Sequence, residues 1–364
     1  MKKKILLTDS LSSAGKKVLE DAAIEVIEIL DQDAAKIEAA LPQVEGWIIR
    51  SGTTISADNI KKATALRAIG RAGVGVDNID IKAATAHGVV VMNTPGGNTI
   101  SAAEHTIALM MSMARNIPAC DNSMKAGLWN RKALMGIELN GKTLGVLGLG
   151  RIGQEVARRA LGLQMKVIGY DPYVSQEQLV VKDISIQSLE DVLVNSDVIT
   201  LHLPRNEDTL NLISATELAK MKPSAMLVNC ARGGLVNEAD LANALNEGVI
   251  GAAAIDVYTS EPPVDNPLVT AKNIVLTPHL GASTYEAGEN VAIQIAAQLR
   301  DYLLHDKLSN TINLPISDMT ILKTIGPSLE LARKMGQLQH PLHKSAIKSL
   351  RLSYNGEAEH IAPL

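Results

Sequence analysis

The chain of 364 residues contains no phenylalanine, and aromatic residues together make up 2% of it. Its cores must therefore be built from Ile, Leu, Val, Met and Ala, a restriction on packing that says nothing about function. Cysteine is scarce. Cys120 and Cys230 are too few for a disulfide framework and show no metal-ligand spacing, which fits a reducing compartment and no bound metal. There is no basic excess: 35 Lys and Arg stand against 39 Asp and Glu, for a net charge of −4, so nothing in the charge balance would attract nucleic acid. Long apolar runs are missing as well, which excludes a membrane-spanning helix. The opening MKKKILLTDS begins like a signal peptide, but its apolar run ends at Thr8 and Asp9. A cytoplasmic protein is the expectation. Short-period repeats and low-complexity segments are also lacking.

What is present is an ordinary globular balance, 46% hydrophobic and 20% charged, in a chain long enough for two domains. Short apolar runs (KKILLTD, VEGWIIRS, LRAIGRAG, GVVVMNTP) alternate with helical patterns such as SAGKKVLEDA. That alternation predicts a parallel sheet with helices on both faces, as in a flavodoxin-like unit. SAAEHTIALMMSMARN, residues 101–116, predicts a helix with a long apolar face able to bury against a neighbouring domain or subunit. The alternation then resumes through SDVITLHLP, AMLVNCAR, GAAAIDVY and NIVLTPH, predicting a second doubly wound domain over about residues 98–281. In NEADLANALNEG, Asn237 and Gly248 are the expected helix caps. TYEAGENVAIQIAAQLRDYLL predicts a long late helix that returns to cover the first domain.

Within the second domain, KTLGVLGLGRIGQEVARRALGLQMKVIGYDP reads as strand, turn, helix and strand. In such a unit Gly148 permits the tight turn, Gly150 lets the backbone approach a pyrophosphate, and Gly153 lets the helix pack on the sheet. Asp171 ends the second strand, where its carboxylate can accept hydrogen bonds from the adenosine ribose and repel a 2′-phosphate. The expected cofactor is NAD rather than NADP.

Oxidation of an alcohol by such a cofactor needs a base, a group to tune it, and a cation for the acid or carbonyl. Three segments at the predicted carboxyl ends of late strands provide them: His279 in LTPHLGAS, Glu261 in TSEPP and Arg232 in NCARGG. An imidazole exchanges protons near neutral pH, a carboxylate beside it stabilises the imidazolium, and a guanidinium fork matches a carboxylate. Each residue alone reads as readily as a structural histidine, a turn glutamate or a surface arginine. Together, each following a strand of one cofactor-binding domain, they point to a site.

GLGRIG with YDP, NCARGGLVNE, AAAIDVYTSEPP and TPHLGAST, in that order, resemble the NAD-dependent D-2-hydroxyacid dehydrogenase family. RAGVGVDNID, MNTPGGNTISAAEHT and MKAGLWNRKALMGIELNGKTLG extend the likeness over about residues 4–314. The resemblance implies an α/β fold of two doubly wound parallel-sheet domains. Residues 1–97 and 282–316 would form a flavodoxin-like substrate domain and 98–281 a Rossmann NAD-binding domain, while 317–364 would be a short α+β tail, the partial start of an intervening domain. His279 would be the general acid/base, Glu261 its partner, and Arg232 the residue binding the 2-oxo acid group. Arg151, Ile152, Asp171, Cys230 and Asp256 would line the cofactor site with the three glycines. Homodimers or homotetramers would assemble through the NAD-binding domain.

Within the family the likeness is to enzymes of a small phosphorylated 2-hydroxy acid. Arg50, Ser51, Arg71, Gly73, Asn98 and Arg131 would hold that substrate, Arg131 reaching across from the other subunit in similar enzymes. The two domains would close over it. Val74 replaces the threonine usual in the close family and removes a hydroxyl near the nicotinamide. His105 and His202 are expected to be structural, and Cys230 to pack rather than react. The alternative readings are a reductase of glyoxylate, hydroxypyruvate or another small 2-oxo acid, and an NAD-sensing interaction protein.

Overall fold

The computed structural model describes residues 2–314 together with 331, 334 and 335, so the tail expected over 317–364 lies almost wholly outside the described residues. The chain divides into two units. One runs to Pro95 and resumes at Val291, and the other is Gly96–Asn290. The first unit contains β1 (Lys4–Leu7), α1 (Ser13–Glu20), β2 (Glu25–Glu28), α2 (Ala34–Ala40), β3 (Gly46–Ile49), α3 (Ala57–Lys62), β4 (Ala68–Arg71), α4 (Ile81–Ala86) and β5 (Val90–Met92). The second contains α5 (Thr99–Ala114), α6 (Ile117–Lys125), β6 (Thr143–Leu147), α7 (Arg151–Gly162), β7 (Lys166–Tyr170), β8 (Ile184–Ile186), α8 (Leu189–Asn195), β9 (Val198–Leu201), α9 (Ala215–Leu218), β10 (Met226–Asn229), α10 (Glu238–Glu247), β11 (Ala252–Ile255) and β12 (Ile274–Leu276). Helix α11 (Tyr285–His305) begins in the second unit and belongs to the first from Val291 onward.

The first sheet has the order β2-β1-β3-β4-β5, with every pair parallel. A parallel sheet needs both faces covered, and the side chains alternate accordingly. Leu6, Trp47, Ile49, Ile69 and Val91 face one core with Ile37, Ile60 and Ala84 from helices. Ile5, Leu7, Ile48 and Ala68 face the other, where Leu19 of α1 meets Ile295, Leu299 and Leu303 of α11. Burial of each such leucine contributes about 1.5–3 kcal/mol. The return of the late helix is thus a packing requirement of this sheet. Strand β2, with the sequence EVIE, has no counterpart among the predicted strands: it is a short edge strand with both glutamates exposed and carries no apolar run.

The second sheet has the order β12-β11-β10-β9-β6-β7-β8, again all parallel. Strand order reverses between β6 and β9, and the crevice outside the carboxyl ends at such a point is where open α/β sheets bind ligands. On one face Leu109, Met110 and Met113 of α5 pack with Val156, Ala157 and Ala160 of α7. On the other, Leu193, Leu218, Leu241 and Leu245 pack against Leu147, Ile199, Leu227 and Ile255. Asn237 caps α10 by accepting the Asp240 N–H at 3.1 Å, and Gly248 closes it with φ +73°. Helix α6 and the segment after it leave Ile117, Met124, Leu128, Trp129, Met135 and Ile137 exposed. Among the described residues no helix is long and apolar enough to cross a membrane.

Candidate active site

The turn from β6 into α7 is built on glycines. Gly148 has φ +96°, and a Cβ there would lie 2.6 Å from the His202 carbonyl oxygen after β9, across the strand-order reversal. A Cβ on Gly153 would overlap the Gly148 carbonyl oxygen, so the helix start and the turn are in backbone contact. Gly150 is the N-cap of α7 and itself brings no side chain to the first-turn N–H groups, leaving open space where a Cβ would stand. An anion held there would meet those donors and the positive end of the helix dipole. Beside Gly150 and Arg151 lies a cavity of about 550 Å³, lined also by Thr99, Gln154, Tyr173 and Val181. Ile152 follows in the first turn of the same helix.

Asp171 accepts the Leu149 N–H at 2.8 Å through one oxygen and the Tyr173 N–H at 2.9 Å through the other. Each oxygen keeps a lone pair. One carboxylate therefore shapes the glycine turn and retains the capacity to accept from a ribose. These residues fit a dinucleotide, and they would hold its pyrophosphate and adenosine ribose.

The loops after the carboxyl ends of β10, β11 and β12 carry Arg232, Glu261 and His279, the three residues expected to do chemistry. Asn229, buried at the end of β10, donates to the Arg232 carbonyl at 2.9 Å and accepts the Ala231 N–H at 3.0 Å, fixing the loop that presents Arg232. The Arg232 guanidinium donates to the Ala231 carbonyl at 2.6 Å. The Asp256 N–H donates to the Asn229 carbonyl at 2.9 Å, and the Asp256 carbonyl accepts the His279 N–H at 2.8 Å. A line of backbone bonds thus joins the three loops.

Asp256 has no solvent exposure and is the hub. Its Oδ1 accepts the Thr277 hydroxyl at 2.6 Å and the Leu280 N–H at 2.7 Å, its Oδ2 accepts the Gly281 N–H at 2.8 Å, and His105 Nε2 lies 3.2 Å from Oδ1. Burial alone would raise the Asp256 carboxyl; the donors from His105, Thr277, Leu280 and Gly281 overcome this and hold it below the usual carboxylate range. The ionised carboxylate clamps the segment on which His279 stands with φ +56°. His279 Nδ1 lies 2.7 Å from Glu261 Oε2, while Glu261 Oε1 accepts the Tyr258 N–H at 3.1 Å. Both side chains remain open to solvent, at 44% and 38%, so the free edge of the imidazole is accessible to a ligand.

His105 is more than a packing residue: it bonds the carboxylate that shapes the His279 loop, and also lies 3.2 Å from Thr277 Oγ1. Sequence reasoning missed this role, as it missed Asn229 and Thr277. The signal available was polar side chains at the apolar ends of predicted strands and on an apolar helix. Cys230 is pushed up to about 12 by burial and by the neighbouring Asp256 charge, so its thiol stays protonated. His105, Cys230 and Asp256 bring donor atoms within 4.8 Å of one another, but hydrogen bonds already engage the carboxylate from several sides. His202, 3.0 Å from Thr200 Oγ1, is pushed down to about 3 by its burial and is neutral at physiological pH.

Asn98 stands at the N-cap of α5 without a capping bond, and its buried Oδ1 has no hydrogen-bond partner. A buried orphan acceptor is costly, and a donor from a ligand or water would satisfy it. Arg131 is exposed. In the first unit, Arg50 and Ser51 follow β3, and Arg71 is the last residue of β4, leading into Gly73. Arg71 folds over Gly73, whose φ is +145° and where a Cβ would overlap the guanidinium. The Val74 carbonyl accepts from Asn93 at 2.6 Å, which fixes the backbone where the family's hydroxyl is lacking.

Residues 107–281 match the model of the D-isomer specific 2-hydroxyacid dehydrogenase NAD-binding domain. The chain is 44% identical over 355 residues to the D-3-phosphoglycerate dehydrogenase of Archaeoglobus fulgidus, covering 97% of this chain and 67% of that one. This chain belongs to the D-2-hydroxyacid dehydrogenase family. The D-3-phosphoglycerate dehydrogenase of Methanocaldococcus jannaschii is 43% identical over 358 residues, covering 97% and 68% of the two chains. Among solved structures, a glyoxylate reductase from Paecilomyes thermophila superposes with a TM-score of 0.78 at 29% identity, covering 85% of this chain and 98% of that one. The dehydrogenase therefore spans about two thirds of the length of these curated relatives and nearly the whole of the reductase. NAD is the cofactor its second unit is built to bind.

Proposed function

We propose that the chain oxidises the C2 hydroxyl of D-3-phosphoglycerate to give 3-phosphohydroxypyruvate, the first step of L-serine synthesis, in the cytoplasm. The observation that carries this reading is the 2.7 Å pair of His279 and Glu261, on loops joined by backbone hydrogen bonds to the one that carries Arg232, in a unit with a dinucleotide cradle. The similarity to two phosphoglycerate dehydrogenases supports the substrate.

When bound, NAD supplies the two-electron acceptor for the hydrogen at C2. The chain's own residues do the rest. Glu261 engages Nδ1 of His279, which leaves Nε2 to take the hydroxyl proton, and the carboxylate stabilises the imidazolium that forms. Arg232 pairs with the substrate carboxylate and polarises the developing carbonyl. In the reverse direction His279 returns the proton. Arg50, Ser51, Arg71, Gly73, Asn98 and Arg131 are the residues assigned to the rest of the substrate, its phosphate included. The exposed apolar residues from Ile117 to Ile137 support assembly as a homodimer or homotetramer through the NAD-binding unit.

The deciding experiment is NADH oxidation with 3-phosphohydroxypyruvate beside hydroxypyruvate, glyoxylate, pyruvate and 2-oxoglutarate. The expected result is a kcat/KM advantage of about a hundredfold for the phosphorylated acid, roughly 2.7 kcal/mol. Equal rates on glyoxylate or hydroxypyruvate would instead make the chain a general 2-oxo acid reductase. Binding of NADH with no acid reduced would leave a nucleotide-binding protein without this activity.

A further inference from the structure

Strand order in the first sheet reverses between β1 and β3, the second place in the molecule where an open α/β sheet offers a ligand crevice. The loop leaving β3 there is Arg50, Ser51, Gly52 and Thr53, and the loop leaving β1 carries Asp9. Asp9 Oδ2 accepts two backbone donors of the first loop, the Arg50 N–H at 2.7 Å and the Thr53 N–H at 3.2 Å. On the carbonyl side, Asn78 Nδ2 donates to Arg50 O at 2.7 Å and to Thr53 O at 2.5 Å. The two ends of the four-residue loop are thus held twice, by one acceptor and one donor from different elements. Thr53 is tied further inward: it is 4% exposed, and its hydroxyl donates to Thr8 Oγ1 at 2.8 Å, which also accepts from the buried Trp47 indole at 2.9 Å.

The residues between the clamps are the exposed ones. Ser51 and Gly52 face solvent, and among the described residues their N–H groups bond no protein atom. Gly52 also crosses Asp9 so closely that a Cβ would overlap Asp9 Oδ1. A carboxylate beside a loop meant for an anion would ordinarily be repulsive. Here one oxygen of the acid takes up the N–H groups of Arg50 and Thr53, which leaves the solvent-exposed, unbonded N–H groups of Ser51 and Gly52, with the Arg50 side chain, for an incoming anion.

We propose that Asp9 is a positioning residue for phosphate selectivity: it clamps the Arg50–Thr53 loop in the form that presents the Ser51 and Gly52 N–H groups to the phosphate of the substrate. This rests on the phosphorylated acid being the substrate. The role calls for an acceptor oxygen and not for a charge, since a single oxygen takes both N–H groups. An asparagine side chain at this position would therefore serve, and an alanine would not.

The test measures kcat and KM for 3-phosphohydroxypyruvate and for hydroxypyruvate in the wild type, Asp9→Ala, Asp9→Asn and Gly52→Ala, with thermal midpoints for each. Asp9→Ala is expected to raise the KM for the phosphorylated acid tenfold or more, with kcat lowered less than threefold, so that selectivity over hydroxypyruvate collapses. Asp9→Asn is expected to restore selectivity. Gly52→Ala, which forces the carboxylate aside, is expected to behave like Asp9→Ala and decides the matter should Asp9→Ala not fold. A wild type with no preference for the phosphorylated acid overturns the substrate reading beneath the proposal. A selective wild type whose selectivity survives in both Asp9→Ala and Gly52→Ala overturns the clamp alone.

Discussion

Glu261 holds Nδ1 of His279 at 2.7 Å while its other carboxylate oxygen accepts the Tyr258 N–H at 3.1 Å. The glutamate is thereby fixed in orientation before it fixes the imidazole. Replacing Glu261 by Gln keeps the shape and removes the charge that stabilises the imidazolium. The expected result is a fall in kcat of about 10²–10⁴-fold, the usual range for general acid–base assistance, with the Kd for NADH changed less than threefold. His279→Ala is expected to fall at least as far. Full turnover in either variant would remove the pair from the mechanism.

His105 is linked to the same site through Asp256. Removing it leaves a buried carboxylate with one donor fewer, a loss of about 1–3 kcal/mol. His105→Leu is expected to lower the thermal midpoint and kcat together, because the clamp on Leu280 and Gly281 loosens. His105→Gln, which can still donate to the carboxylate, is expected to recover most of both. Equal effects in the two variants would make His105 a space-filling residue.

The glycine turn makes a separate prediction for the cofactor. Gly148→Ala puts a side chain at φ +96° and 2.6 Å from the His202 carbonyl, a strain of about 1–3 kcal/mol. NADH fluorescence titration is expected to show binding weakened tenfold or more. Unchanged binding would mean that the turn is not where the nucleotide sits.

His202 predicts an acid-sensitive term in stability. Its folded value is lowered from 6.5 to about 3 by burial, so between those limits the unfolded chain binds more protons than the folded one. Stability from this group is present above about pH 6.5 and is lost as pH falls toward 3, with a slope of at most about 1.4 kcal/mol per pH unit. Urea midpoints at pH 7, 5 and 4 are expected to fall less steeply in His202→Gln than in the wild type. Parallel slopes would contradict the burial of a neutral imidazole.

The two thiols are expected to differ in reactivity. Cys230, half-buried and pushed up to about 12 by desolvation and the neighbouring Asp256 charge, has almost no thiolate at neutral pH, and thiolate is the reactive form. Iodoacetamide followed by mass mapping is expected to label Cys120 in the native protein and Cys230 only after denaturation. Rapid native labelling of Cys230 would show that its pocket opens.

Local chemistry was enough to read much of this protein from its sequence. The buried runs of β1 and β3, the glycines after β6, and the Asn237 and Gly248 caps depend on neighbours a few residues away, and the side chains state those preferences directly. The edge strand β2 escaped because its two apolar residues are only half-buried between flanking glutamates and its pairing is supplied by β1. Tertiary structure alone decided how the site residues work. Glu261 meets His279 across 18 residues, Asp9 clamps Arg50 across 41, and His105 reaches Asp256 across 151. Such pairings follow from which strand ends lie side by side in the sheets. No residue type carries that information, because a histidine on an apolar helix or an aspartate after a strand becomes a positioning group only when parallel strand order brings its partner within hydrogen-bond reach.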